Sequence, residues 1–281
     1  ARDCSLIVAP AMNKQMWENP STQRNIRALQ EDGIDLIGPD SGEQACGEQG
    51  LGRMREPDVI VTELQSWFQP KILQGKNVVI TAGPTYEAID AVRGITNASS
   101  GKMGYAVAQA AHDAGANVSL ISGKTNLIAP PGVRLISAIS AQNMMDAVLN
   151  EVDHADIFIS VAAVADFSVK NPSKHKIKKT EQKLNIEFNE TPDILKTVAK
   201  RKNAPFCVGF AAESKDVENY ARKKRLEKGI PLIAANLVTE ALNSDINSLI
   251  LIDDDGSKTL PPSSKLSQAR MLIDHISSLT Q

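Results

Sequence analysis

Asn77-Val-Val-Ile-Thr-Ala82, running on through Gly83-Pro-Thr-Tyr-Glu-Ala-Ile-Asp-Ala-Val-Arg-Gly-Ile-Thr-Asn-Ala-Ser-Ser-Gly-Lys-Met-Gly104, is the stretch that decides the fold. Its first six residues form a continuous run rich in β-branched side chains, which suits a strand buried on both faces. Residues 101–114 have helical apolar spacing and stop at Gly115, a residue suited to a left-handed C-cap. A buried strand, a long polar loop and a helix together open a parallel α/β sheet.

Working outward, strands are expected at residues 118–122, 134–137, 156–161, 206–209 and 231–234. Helices are expected at 141–152, 192–201, 216–228 and 264–279. Residues 247–252 read as a late strand that reverses at the Asp253-Asp-Asp-Gly256 turn. The fold class implied is α/β, with a Rossmann-like, doubly wound, mostly parallel sheet over residues 76–281. Ligands of such sheets sit at the carboxyl ends of the strands, so the loops after Ala82, Val161 and Phe210 are the places to search.

Upstream the pattern is sparser. A strand is expected at residues 5–9, a helix at 19–32 ending at Gly33, a short strand at 34–37 and a glycine-rich loop at 42–52. So few elements in roughly 70 residues cannot enclose a good α/β core unaided. The segment from Leu64 reads as a helix end and then a linker stopped by Pro70 and Gly75. Residues 1–68 are therefore expected to be one domain, 69–75 a linker and 76–281 a second domain. The chain opens Ala-Arg-Asp and enters a strand almost at once, so the first domain is expected to be truncated at its N-terminus.

Composition narrows the function. The 31 basic residues nearly balance the 33 acidic ones, and a net charge of −2 argues against a surface built for nucleic acid or an anionic membrane. The apolar run at 155–165 is too short to span a bilayer. Cys4, Cys46 and Cys207 are odd in number, far apart and without CxxC or His-rich spacing, which argues against zinc and a disulfide framework. A reducing cytoplasm is the natural compartment.

Three segments carry chemistry. The strand–loop–helix junction at 82–101 aims free N–H groups of Ser99, Ser100 and Gly101 at an anion. Each such helix-end interaction contributes only about 0.3–1 kcal/mol, so several must act together. A P-loop is excluded, because Thr96 stands where its first glycine belongs and Met103 where its magnesium-binding hydroxyl belongs. An ordinary loop with a good N-cap stays open.

The second segment, Ser160-Val-Ala-Ala-Val-Ala-Asp166, offers small residues at a strand end for close approach of a base or sugar. Asp166 adds an acceptor for hydroxyls or a ligand for magnesium. Lys174-His-Lys-Ile-Lys-Lys179 follows, and from spacing alone it reads equally as a polyphosphate contact and a solvated face. The third segment joins Thr191-Pro-Asp-Ile-Leu195 and Gly209-Phe-Ala-Ala-Glu213 to Lys224 and Lys228, which share a helical face. Such a pair often only solubilises its helix.

Together these residues resemble the bifunctional phosphopantothenoylcysteine decarboxylase / phosphopantothenate–cysteine ligase family of coenzyme A biosynthesis. The resemblance runs through Ile80-Thr-Ala-Gly-Pro-Thr85, Asn97-Ala-Ser-Ser-Gly-Lys-Met-Gly104, Ala162-Ala-Val-Ala-Asp166, Lys176-Ile-Lys-Lys179 and Val208-Gly-Phe-Ala-Ala-Glu213. In the first region it rests on Pro10-Ala-Met-Asn13 and Gly42-Glu-Gln-Ala-Cys-Gly-Glu-Gln-Gly-Leu-Gly-Arg-Met54. Residues 1–68 then look like the C-terminal part of a flavoprotein-type α/β domain.

The resemblance implies that CTP activates the phosphopantothenate carboxylate as an acyl cytidylate, which the cysteine amine then converts to an amide. It implies Lys176 against the phosphates. Ser160, Val161, Ala162, Asp166, Pro192, Asp193, Ile194, Leu195, Phe210, Lys224 and Lys228 would line the CTP site. Magnesium would bridge the phosphates, with Asp166 as its candidate ligand. Asn97, a neutral amide, would donate to the acyl oxygen, and Arg93 would contact the intermediate or anchor its loop. In the decarboxylase part Asn13 would contact the substrate carboxylate and Cys46 would act as proton donor. FMN would belong to the complete protein and not be retained by this chain, since the family's flavin-binding start and catalytic histidine lie upstream of Ala1. A homodimer through the ligase domain is also implied, with larger assemblies on the flavoprotein half. Two other classes suit the sheet but not the residues. A nucleotide sensor without turnover would have shed Asn97 or Lys176, and an NAD-linked oxidoreductase would carry GxGxxG after Ala82.

Overall fold

The computed structural model describes residues 3–44, 47–178, 185–213, 215–237 and 246–280. The chain divides into two compact units, Ala1–Gln69 and Pro70–Gln281.

Unit 1 holds β1 (Ile7–Val8), α1 (Lys14–Glu18), α2 (Pro20–Glu31), β2 (Asp35–Leu36), β3 (Asp40–Glu43), β4 (Gln49–Arg53) and α3 (Pro57–Trp67). Asn19 caps α2 by accepting from Ser21 N, and Pro20 fits the first helical position, where no N–H is needed. β1 and β2 pair in parallel, Ile7 with Asp35. The glycine-rich 42–52 segment is an antiparallel ribbon of β3 and β4, not a loop. Its glycines serve close approach: a Cβ on Gly52 would lie 2.2 Å from the Met12 carbonyl oxygen, and that carbonyl's residue donates its own N–H to Gly52 O at 2.8 Å.

Unit 2 continues with β5 (Asn77–Ala82), β6 (Tyr86–Ala88), β7 (Gly94–Thr96), α4 (Lys102–Asp113), β8 (Asn117–Ser122), β9 (Arg134–Ser137), α5 (Ala141–Glu151), β10 (Ile157–Ser160), β11 (Phe167–Val169), β12 (Phe188–Glu190) and α6 (Ile194–Ala199). Then come β13 (Phe206–Glu213), α7 (Val217–Lys228), β14 (Leu232–Leu237), β15 (Ile246–Asn247), β16 (Ile250–Ile252), β17 (Ser257–Thr259), β18 (Ser263–Ser264) and α8 (Lys265–Leu279). The main sheet has the order β17-β16-β14-β13-β10-β5-β8-β9. Its pairs from β14 to β9 are parallel, and β16 and β17 close one edge antiparallel. The mixed α/β, mostly parallel fold expected from the sequence is the one observed.

Alternation along β5 explains the layers. Val78 and Ile80 face a core filled by α4 and α8 through Val107, Ala111, Leu272 and Ile276. Val79 faces the other side, with Phe158, Met144, Val148, Val198 and Ala221 from β10, α5, α6 and α7. β13 and β14 run further than the sequence suggested, pairing from Val208↔Leu232 to Glu213↔Leu237; Gly209 lies inside β13 and does not end it. The late strand breaks in two at Ser248 and Leu249, where the Leu249 N–H turns to the Gln268 side chain at 3.0 Å.

Candidate active site

Parallel register sets Ser160, the end of β10, beside Thr81 near the end of β5 on one side and Gly209 within β13 on the other. The loops that leave this edge are sewn together by main-chain bonds. Ala163 N donates to Gly83 O at 2.9 Å, Thr85 N to Ala163 O at 3.2 Å, and Ala165 N to the buried Thr85 Oγ1 at 3.0 Å. The small residues of the 162–165 run are what permit this close passage. Gly83 and Gly101 both have positive φ, +71° and +76°, and a Cβ on either would come within 3 Å of Thr125 Cγ2. The start of α4 is thus pressed against the strand end, as an anion-binding junction needs.

A cleft of about 370 Å³ lies at this edge. Of the residues expected to hold the nucleotide, Ser160, Ala162, Asp166, Pro192, Asp193, Ile194, Leu195, Phe210, Lys224 and Lys228 line it. Val161 does not, because its side chain packs against the core on the α4 side. Lys176 does not line it either; it is exposed on the 170–178 segment. Val164, Ala165, Phe167, Glu190 and Thr191 complete the wall. Phe167 and Glu190 escaped sequence reasoning because they sit on the β11–β12 ribbon, whose three-residue strands are too short for a periodic signal.

Two of the perturbed acids in unit 2 bear on this edge. Burial pushes the Asp193 carboxyl up, but the Lys228 ammonium, the Lys196 N–H and the lysine charges outweigh it and hold Asp193 below the ordinary carboxylate range. Asp193 also caps α6, accepting from Lys196 N at 3.0 Å, and forms an ion pair with Lys228. The Arg93 guanidinium, helped by main-chain N–H groups, holds Asp90 well below that range against its desolvation. Cys207, buried in β13, is pushed up to about 12 and is no thiolate nucleophile.

The other expected residues lie as follows. Asn97 is exposed at the end of β7, and its Nδ2 donates to Ala163 O at 2.9 Å, inside the loop that walls the cleft. Thr96 Oγ1 donates to Thr85 O at 2.7 Å, fixing the same strand. Ser99 Oγ and Ser100 Oγ accept long bonds from Gly101 N and Lys102 N at 3.3 and 3.4 Å. Arg93 grips Asp90 with two nitrogens and donates to Ile177 O at 3.0 Å, which is the geometry of a loop anchor. In unit 1, Asn13 Nδ2 donates to Glu48 Oε2 at 2.7 Å, joining the 10–13 turn to the β3–β4 ribbon. Cys46 lies outside the described residues. Among the described residues no group of three or more His, Cys, Asp or Glu side chains gathers as a metal cage, and no helix is long and apolar enough to cross a membrane.

Comparison with known proteins places this geometry in a lineage. The DNA/pantothenate metabolism flavoprotein C-terminal domain family matches residues 73–279, and the Flavoprotein family matches residues 1–69. The coenzyme A biosynthesis bifunctional protein CoaBC of Vibrio vulnificus is 48% identical over 285 residues, covering 99% of this chain and 71% of that protein. Its Escherichia coli counterpart is 45% identical over 284 residues, covering 98% of this chain and 70% of the relative. A crystal structure of the C-terminal domain of a CoaBC protein superposes with a TM-score of 0.65 at 41% identity, covering 74% of this chain and 97% of that one. The chain belongs to the family of bifunctional coenzyme A biosynthesis proteins of the CoaBC type.

Proposed function

We propose that unit 2 joins phosphopantothenate to cysteine at the expense of CTP. The single observation that carries this reading is the cleft itself, in which a strand-end floor of small residues meets Lys224 and Lys228; Asn97 does not line it but bonds to Ala163 in the loop that walls it. A cytosine and ribose would lie along Ser160–Ala162 and Phe210, and the triphosphate would draw on Lys224, Lys228 and Lys176. The phosphopantothenate carboxylate attacks the α-phosphorus; the acyl–phosphate bond forms as pyrophosphate leaves. The cysteine nitrogen then attacks the acyl carbon, CMP departs and the amine proton is lost to solvent.

In the second step the acyl oxygen turns anionic. Asn97 has no charge and cannot serve as base, but its amide is an aimed donor whose removal costs about 3–4 kcal/mol of transition-state stabilisation. In the free protein that amide is kept in line by the Ala163 carbonyl. Ser99, Ser100 and Gly101 would meet the substrate at the start of α4. Magnesium would neutralise phosphate charge, and needs one or two carboxylates beside the phosphates. Asp166 fits, being exposed on the cleft wall, whereas Asp193 is already paired with Lys228.

The family's second activity, FMN-dependent decarboxylation of the ligation product, belongs to this reading for the whole protein, with Asn13 at the substrate carboxylate and Cys46 as proton donor. Among the described residues of unit 1 only Pro10, Ile34, Ile37 and Gly52 are buried. A cytoplasmic homodimer through unit 2 completes the proposal.

Incubation with phosphopantothenate, cysteine and either CTP or ATP, following CMP or AMP, tests it. CMP is expected. Asn97→Asp should release pyrophosphate yet form little amide, and Lys176→Gln should lose both. Equal loss of the two products in Asn97→Asp would remove the carboxamide from its assigned step.

A further inference from the structure

The β6–β7 ribbon and the lysine-bearing segment meet at one carboxylate. Asp90 lies in the turn between β6 and β7 and is 3% exposed. Its Oδ1 accepts from Val92 N and Arg93 N, both at 2.8 Å. Its Oδ2 accepts from Arg93 Nε at 3.0 Å, Arg93 Nη2 at 2.6 Å and Ile177 N at 3.0 Å. Arg93 Nη2 also donates to Ile177 O at 3.0 Å, and Ser173 N donates to Ile89 O at 3.0 Å. The residue after Lys176 is therefore held at its N–H by Asp90 and at its carbonyl by Arg93. The far end of the same ribbon carries Asn97, seated on Ala163.

We propose that Asp90 is a positioning residue for the ligation: it moors the segment 173–178 to the ribbon and so fixes Lys176 relative to Asn97 and the cleft. The inference rests on the ligase reading given above. Asp90 is not itself a chemical group in the reaction, because its side chain is enclosed, saturated with donors and firmly ionised beside Arg93. An Asx-type turn needs only the Val92 and Arg93 N–H bonds. The bond to Ile177 crosses 87 residues of sequence and adds nothing to that turn, so it speaks for mooring.

Asp90→Asn separates the two roles. The amide oxygen still accepts from Val92 and Arg93, while its NH₂ group now faces the donors of Arg93 and Ile177. In the full chain, pyrophosphate release from CTP and phosphopantothenate should fall about 100-fold, the scale of a small misplacement of a catalytic group. CTP binding, read by thermal shift, should fall far less than pyrophosphate release, because Ser160, Ala162, Phe210, Lys224 and Lys228 are untouched and only the Lys176 contact is displaced. Asp90→Asn combined with Lys176→Gln should be no slower than Lys176→Gln alone, since residues acting as one unit are not additive. Amide exchange at Ile177 should rise about tenfold, with β5 amides unaffected.

Pyrophosphate release at the wild-type rate would overturn the proposal, as would losses that multiply in the double variant or a matching loss of CTP binding. A wild type that releases no pyrophosphate would overturn the ligase reading instead. Exchange at Ile177 would then judge the mooring by itself, a rise supporting it and an unchanged rate overturning it.

Discussion

Residues 3–69 and residues 70–280 use the same vocabulary of short strands and capped helices, but they differ in what they bury. Unit 1 encloses Ile34 and Ile37 and little else, and none of its helices has a buried residue. Unit 2 encloses two clusters, one on each face of its eight-stranded sheet. Secondary structure alone therefore does not make a domain; a second layer that covers each apolar face does. Function follows the same division. The cleft hangs on strand ends that the two cores hold rigid, so its walls are set by packing and not by the loops alone.

The largest effect expected from this contrast is all or none. Residues 70–281 produced alone should unfold in one cooperative urea transition. Residues 1–69 produced alone should show none, since a segment below about 70 residues rarely gathers more than 3–5 kcal/mol from a single core. A sharp transition with dispersed amide signals for residues 1–69 would break the comparison. Next in size is Phe158→Ala within residues 70–281. Phe158 is fully buried at the centre of the sheet, and its loss should cost about 3–5 kcal/mol in urea unfolding. A cost below about 1 kcal/mol would mean that the sheet can collapse around the void.

The same contrast decides what the sequence could reveal. β5, β8 and β10 announce themselves because a strand buried on both faces must be largely apolar, and α5 because Ser140 and Asn143 cap it reciprocally. The ribbons β3–β4, β6–β7 and β11–β12 do not, because strands of three to five residues with one wet face carry too few apolar positions to set a period. Residues 83–100 read as one long loop for that reason, and Asp90 within them drew no notice. Its signal was present: an Asp-Ala-Val-Arg turn, in which an Asp side chain can take the N–H two residues on. What no local pattern could show is that Ile177 would supply the remaining bond.

The cleft residues were legible to the extent that they sit on strand ends and helix starts. The family resemblance implied Ser160, Ala162, Phe210 and Ile194, and Ser160 and Ile194 also stand at the end of β10 and the start of α6. Val161 shows the limit of that reasoning. A strand alternates its side chains, so the residue between two cleft-facing neighbours points to the core, whatever motif it belongs to. Lys176 shows a second limit, because the direction of an exposed lysine is set by what moors its main chain.

The smallest effect sits at the cleft rim, on Asp193. Its pKa in the folded chain lies below the unfolded value of about 3.9, so its ion pair with Lys228 stabilises fully above that value. The contribution is lost as pH falls through the folded value. Asp193→Asn isolates the charge, since asparagine caps a helix as well as aspartate and keeps the bond from Lys196 N. The side chain is 39% exposed, so solvent screens the pair and the variant should lose only about 0.2–1 kcal/mol at pH 7. The gap between wild type and variant in urea unfolding should hold from pH 7 to about 5, begin to narrow near the unfolded value of about 3.9 and vanish only below the folded value. A gap that does not narrow at all as pH falls below the unfolded value would show that pairing of the ionised carboxylate with Lys228 is not what Asp193 supplies. No gap at pH 7 would mean that Lys228 is already free to turn toward a phosphate, and that the rim of the cleft is set by the helix alone.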